Sequence, residues 1–205
     1  VLSLPLGLLI SLFKEAVSKR PTDNFVIRWI VKMPIRFIIN VYLWVFRGTP
    51  LLLQLYFFYF LLPMMIPSFS IDKTFSILLA LCLNSGAYVA EIVRGGLNSV
   101  DKGQFEAGRS LGFGYIATMW YIILPQAFKN ILPALGNEAI MLLKDTSISG
   151  YVAIQDLTKG GDIIRSRTYD AFMPLIAVAL IYLILVTILT LLLRRLERRL
   201  QSSER

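Results

Sequence analysis

Apolar residues in this chain come in long blocks, separated by short polar clusters. Residues 1–13 are apolar or small and stop at Lys14. That run is too short to span a bilayer and reads as the cytoplasmic end of a first transmembrane helix truncated at its N-terminus. A secretory signal core fits less well, because no small-residue cleavage site follows and Lys14, Lys19 and Arg20 come after the run. Pro21-Thr22-Asp23-Asn24 is a turn. In residues 25–47, Arg28, Lys32, Arg36 and Asn40 recur every fourth position, with Arg47 seven further on. That is one polar stripe on a helix otherwise rich in Trp29, Ile30, Phe37, Ile38, Tyr42 and Trp44. The pattern predicts an amphipathic helix that lies along an anionic membrane surface and then leads into a second span. Arg47-Gly48-Thr49-Pro50 breaks it, residues 51–62 continue apolar to Pro63, and 63–73 is a short external connection.

Residues 74–90 form the third predicted span, in which Gly86 and Ala90 make a small-xxx-small pair suited to close helix packing. Hydropathy alone marks residues 110–128 as a span, since they carry no charge. Three glycines (Gly108, Gly112, Gly114) and a central aromatic cluster argue instead for the membrane surface. The fourth span is then 130–143, interrupted by Glu138, and 144–170 is a polar external segment. The fifth span is the uncharged run 171–193, which at 1.5 Å per residue covers roughly 30 Å of hydrocarbon with some tilt. The expectation is one all-α transmembrane domain over residues 1–205 with about five helices.

Composition agrees with that class. Hydrophobic residues make up 56% of the chain and charged residues 17%, with a mean hydropathy of +0.66. Soluble domains lie nearer 45–50% and 25%. The net charge of +8 is not scattered. Residues 14–36, 94–109 and 194–205 hold all of the excess, whereas the external segments 64–73 and 144–170 are each neutral. This one-sided excess follows the positive-inside rule and accounts for the basic pI without nucleic acid. The chain has no histidine, a single cysteine, Cys82, and no G-x-x-x-x-G-K-[ST] sequence. Zinc ligation by imidazole, disulfides and phosphate binding through a P-loop are therefore absent from its chemistry. Any ATP and Mg²⁺ would be bound by another chain, and this one carries no cofactor of its own.

Residues 106–125 read EAGRSLGFGYIATMWYIILP. Glu106-Ala107-Gly108, Gly112, and Ile122-Ile123-Leu124-Pro125 stand at the spacing of the EAA loop, E-A-A-x3-G-x9-I-x-L-P, and depart from it only at Gly108. The stretch resembles the membrane (permease) subunits of bacterial ABC importers. RGTPLLLQLYFFYFLLP at 47–63 and NSGAYVAEIVRGG at 84–96 are similar to the polar amino acid branch (histidine, arginine, lysine, glutamine). A competing match, Gly112-Phe113-Gly114-Tyr115-Ile116-Ala117 to G-x-G-x-x-G/A, lacks the strand and βαβ unit that dinucleotide binding needs.

The resemblance implies a type I importer (MetI-like) permease fold and a non-catalytic transport subunit of the bacterial inner membrane. It implies two copies forming one pathway, two ATPase subunits, and an extracytoplasmic binding protein that delivers the amino acid. It also implies a cytoplasmic coupling loop at 104–118, with Glu106, Ala107, Gly108, Arg109 and Gly112 as the ATPase-coupling residues. A small-residue face at Ala107, Gly108 and Gly112 would allow close backbone approach, and Glu106 near a helix start would meet the helix dipole.

A carboxylate at membrane depth costs roughly 2.5–3.5 kcal/mol on insertion scales. Glu138 is the clearest case, either pairing with a cationic substrate or forming an internal pair with Lys129 or Arg94. Glu91 reads more naturally as an intrahelical partner of Arg94, three residues on. Gln54, Asn84, Ser85 and Tyr88 either line the same cavity or bond neighbouring helices. An extra acid favours arginine, lysine or histidine as cargo, with glutamine or another polar amino acid as the alternative. An ion-coupled secondary transporter with Glu138 and Glu91 as relay is the other class, disfavoured by five spans with no inverted repeat.

Overall fold

The computed structural model describes residues 3–18, 33–67 and 71–201. The helix about which the rest are arranged starts at Asp72, whose carboxylate accepts from the Thr74 amide at 3.1 Å. This N-cap opens α5 (Lys73–Asn98), which runs eight residues beyond the predicted end of the third span. Helices α1 (Ser3–Ser18), α2 (Met33–Gly48), α3 (Leu51–Tyr56) and α8 (Leu124–Asp145) all pack on α5. α9 (Leu157–Thr168) and α10 (Phe172–Gln201) complete the chain, with α10 lying against α8 and α9.

Small residues make α5 the hub. A Cβ on Gly86 would sit 2.9 Å from Leu6 Cδ2 and 3.2 Å from the Tyr42 hydroxyl, and one on Gly96 would collide with Ile131 of α8. In lipid, helix association depends on this close van der Waals fit rather than on expelled water. Buried clusters mark three seams: Leu43 with Ala87 and Ala90; Val89 and Val93 with Ala127 and Ile131; and Leu55, Ile77 and Ala80 with Val152.

The predicted break at Gly48–Pro50 is present, and α2 meets the 51–65 helix at 111°. Residues 21–32, which hold the turn and the first part of the predicted amphipathic helix, lie outside the described residues. One expected helix end is corrected: Pro63 does not stop the second segment, which reaches Met65 in α4 (Leu62–Met65). The fourth span, expected over 130–143, begins earlier, because the helix already runs through Pro125. Each proline lies two residues past a π-helical turn, Phe57–Leu61 and Met119–Ile123, whose backbone N–H bonds skip to the fifth residue back. The wider turn relieves the missing N–H and the crowding of the proline ring against the preceding turn. Tyr115 through Asp145 is therefore one unbroken helical backbone, comprising α7 (Tyr115–Thr118), the π-turn and α8.

α5 and α10 are each long and apolar enough to cross a membrane, and the bent α2 to α4 pair passes the same test when taken together. α10 buries none of its apolar window in the chain, leaving Leu175, Leu180, Leu183 and Ile184 exposed. The polar segment after α8 is helical rather than irregular, forming a 3₁₀ stretch at Thr146–Val152 and then α9.

Candidate functional site

Glu138 projects from α8 and accepts a hydrogen bond from the Ser85 hydroxyl of α5 at 2.8 Å. Both line a cavity of about 310 Å³ between α1, α5, α8 and α10, which is apolar apart from a few groups that include Ser3 and Glu197. Gly136 admits α10 here, because a Cβ at that position would collide with Leu193. No lysine or arginine among the described residues pairs with Glu138, so the internal pair with Lys129 or Arg94 does not form. Glu197 was not singled out from the sequence. It sits among Arg194, Arg195 and Arg198, which read as a cytoplasmic flank, and only the approach of α10 to Gly136 brings it to this cavity.

Gln54 and Asn84 belong to a different structure. The Gln54 amide donates to the carbonyls of Phe46 and Thr49, each at 3.0 Å, and the Asn84 amide donates to Phe46 O at 2.9 Å and Gln54 Oε1 at 3.1 Å. Breaking the helix at Pro50 leaves Phe46 O in the last turn of α2 and Thr49 O just beyond it without helical partners, and these two buried amides satisfy them. Their polarity is used by the bend. Glu91 collects Arg94 at 2.5 Å, Arg47 at 3.4 Å and Lys14 at 3.6 Å, which ties α1, α2 and α5 together at one level. The expected Arg94 pair is thus one of three. Tyr88 lies outside the cavity, with the Arg47 guanidinium 5.8 Å from its ring centre.

The second feature is the loop after α5. Asp101 accepts from Gly103 N at 2.6 Å and caps α6 (Lys102–Ser110). The expectation that Glu106 sits at a helix start is corrected, because α6 begins four residues earlier and Asp101 has that place. α6 ends in a Schellman motif: Phe113 N bonds Gly108 O and Gly112 N bonds Arg109 O, both at 3.0 Å, with Gly112 at φ +85°. The expected small face is also corrected. Gly108 is buried against this chain's own Thr118 and Ile122, a Cβ on Gly112 would meet open space, and Glu106, Ala107 and Arg109 are exposed. Phe105 on Tyr115 (ring centres 5.3 Å apart) and Gln126 on Gln104 (3.2 Å) hold α6 against the helix that follows it.

An arginine transport system permease protein of Bacillus subtilis is 41% identical over 204 residues, covering 100% of this chain and 86% of its own. A glutamine transport system permease protein of Escherichia coli K12 is 42% identical over 161 residues, covering 78% of this chain and 74% of its own. A crystal structure of an amino acid ABC transporter with histidines superposes with a TM-score of 0.81 at 41% identity, covering 97% of this chain and 87% of that one. The inward-facing MetNI methionine ABC transporter shares the fold at 19% identity, with a TM-score of 0.67 over 97% of this chain and 93% of that one. Residues 3–202 match a single family, and by that match the chain belongs to the inner membrane components of binding-protein-dependent transport systems, the non-catalytic permease subunits of ABC transporters.

Proposed function

We propose that this chain forms the translocation pathway of an ATP-driven importer of basic amino acids. Membership of the permease family leaves no place for an ion-coupled carrier, and relatives named for arginine and for glutamine support amino acid cargo. Those two names differ in side-chain charge, so the choice between them rests on one observation. Glu138 is a half-buried carboxylate facing a cavity, with one hydroxyl donor and, among the described residues, no cation.

The ammonium and carboxylate of any amino acid cancel, so an additional acid selects for an additional positive charge. An uncompensated carboxylate is costly away from water, and a guanidinium relieves that cost through two parallel N–H···O bonds. Two copies of the chain form the pathway, and two ATPase subunits dock on the exposed Glu106, Ala107 and Arg109 side of α6. A binding protein delivers substrate from outside the bacterial inner membrane.

The test is uptake and substrate-stimulated ATP hydrolysis in proteoliposomes holding the full complex, over arginine, lysine, histidine, glutamine and glutamate. Arginine or lysine should be preferred, and Glu138→Gln should depress their uptake by about tenfold or more, equivalent to 1.4 kcal/mol. A wild type that prefers glutamine or glutamate, or a Glu138→Gln variant that carries arginine as well as wild type, overturns the reading.

A further inference from the structure

We propose that Thr118 is a positioning residue for transport, fixing through Gly108 the angle at which α6 sits on the helix that carries Glu138. The inference rests on the docking of an ATPase on α6 proposed above and goes beyond it, because Thr118 faces away from the exposed docking side.

The contact is closed on every side. Thr118 is 0% exposed, and its hydroxyl is used within its own helix, donating to Gly114 O at 3.1 Å. Its side chain therefore holds one orientation, and that orientation is pressed on Gly108. A Cβ on residue 108 would lie 2.7 Å from Thr118 Cγ2, 3.0 Å from Thr118 Oγ1 and 3.0 Å from Ile122 Cδ1. An alanine at 108 and a threonine at 118 cannot both keep these backbone positions. Phe105 on Tyr115 and Gln104 to Gln126 brace the same junction from either side, and Phe113 N closes the loop back on Gly108 O.

From Thr118 the helical backbone continues through the π-turn and past Pro133 to Glu138, roughly 30 Å further along. A force applied to α6 thus enters the helix bearing the cavity acid through this small braced junction, with Gly108 and Thr118 at its centre. Packed contacts of this kind shift between discrete arrangements rather than deform continuously. Altering the contact should alter how much transport each hydrolysed ATP yields.

The experiment measures transport per ATP hydrolysed in proteoliposomes containing the permease–ATPase complex. Gly108→Ala should lower that ratio by about fivefold or more, in the range of ordinary coupling energies. Gly108→Ala with Thr118→Ala, which removes Cγ2 and Oγ1 from in front of the new methyl, should recover most of it. Thr118→Val loses the bond to Gly114 O but keeps the branched shape, and a β-branched side chain holds one preferred rotamer in a helix, so the ratio should stay within about twofold of wild type. Should Gly108→Ala fail to accumulate, Thr118→Leu adds bulk from the opposite side and should give the same loss. A wild-type ratio in Gly108→Ala or in Thr118→Leu, or a double variant no better than Gly108→Ala, overturns the proposal. Arg109→Glu on the exposed side of α6 separates the two readings. If the ATPase still co-purifies with that variant and remains substrate-stimulated, the docking reading fails, whatever the result at Gly108 and Thr118.

Discussion

Gly112 offers a sharp choice between two explanations of a motif glycine. If it serves close approach to a partner, any side chain fails in proportion to its bulk, so alanine is tolerated better than asparagine. The structure gives a different reason: Gly112 has φ +85° at the C′ position of the Schellman motif, and a Cβ there meets nothing within 4 Å. The cost of a side chain is then backbone strain, about 1–2 kcal/mol for alanine and less for asparagine, which visits the left-handed region more readily. The order reverses, with asparagine tolerated better than alanine.

Strain of this size should raise the open fraction of the α6 end by about 5–30-fold in Gly112→Ala, and within about threefold in Gly112→Asn. Hydrogen exchange read by mass spectrometry on the detergent-solubilised complex should register this at the amides of Gly112 and Phe113, which bond Arg109 O and Gly108 O. Substrate-stimulated hydrolysis should fall in the same order. Equal protection in wild type and Gly112→Ala, or greater loss in Gly112→Asn than in Gly112→Ala, would refute the argument.

Gln54→Leu removes the donor that Thr49 O shares and one of the two on Phe46 O, so the bend should lose about 1–3 kcal/mol, seen as a lower midpoint of thermal unfolding in detergent. An unchanged midpoint would show that the bend holds without its amides. Glu91→Gln leaves Lys14, Arg47 and Arg94 facing one another, but Arg47 and Arg94 are nearly half exposed, so each pair contributes about 0.5–1 kcal/mol at most. The wild type should lose stability with added salt more steeply than Glu91→Gln, and identical salt dependence would count against the three-cation cluster.

The membrane class, the one-sided charge and the family resemblance were all legible in the chain, because long apolar blocks, the positive-inside bias and a spaced motif are properties of local sequence. The break at Pro50 was legible for the same reason, since a proline acts within a few residues of itself. The continuations through Pro63 and Pro125 were not, because each proline follows a π-helical turn that no local sequence signal marks, and Pro133 lies inside α8 without ending it. Partner choice was also beyond the sequence. Glu91 gathered two cations besides its near neighbour Arg94, while Glu138, equally conspicuous, gathered none among the described residues. Glu197 sits in a run that reads as a surface flank, and it reaches the cavity only because α10 can approach Gly136. Gly108 reads as part of a small face for another protein until Thr118, ten residues on, folds back to cover it. A sequence specifies which groups want partners, but the crossing of helices decides which of them find one.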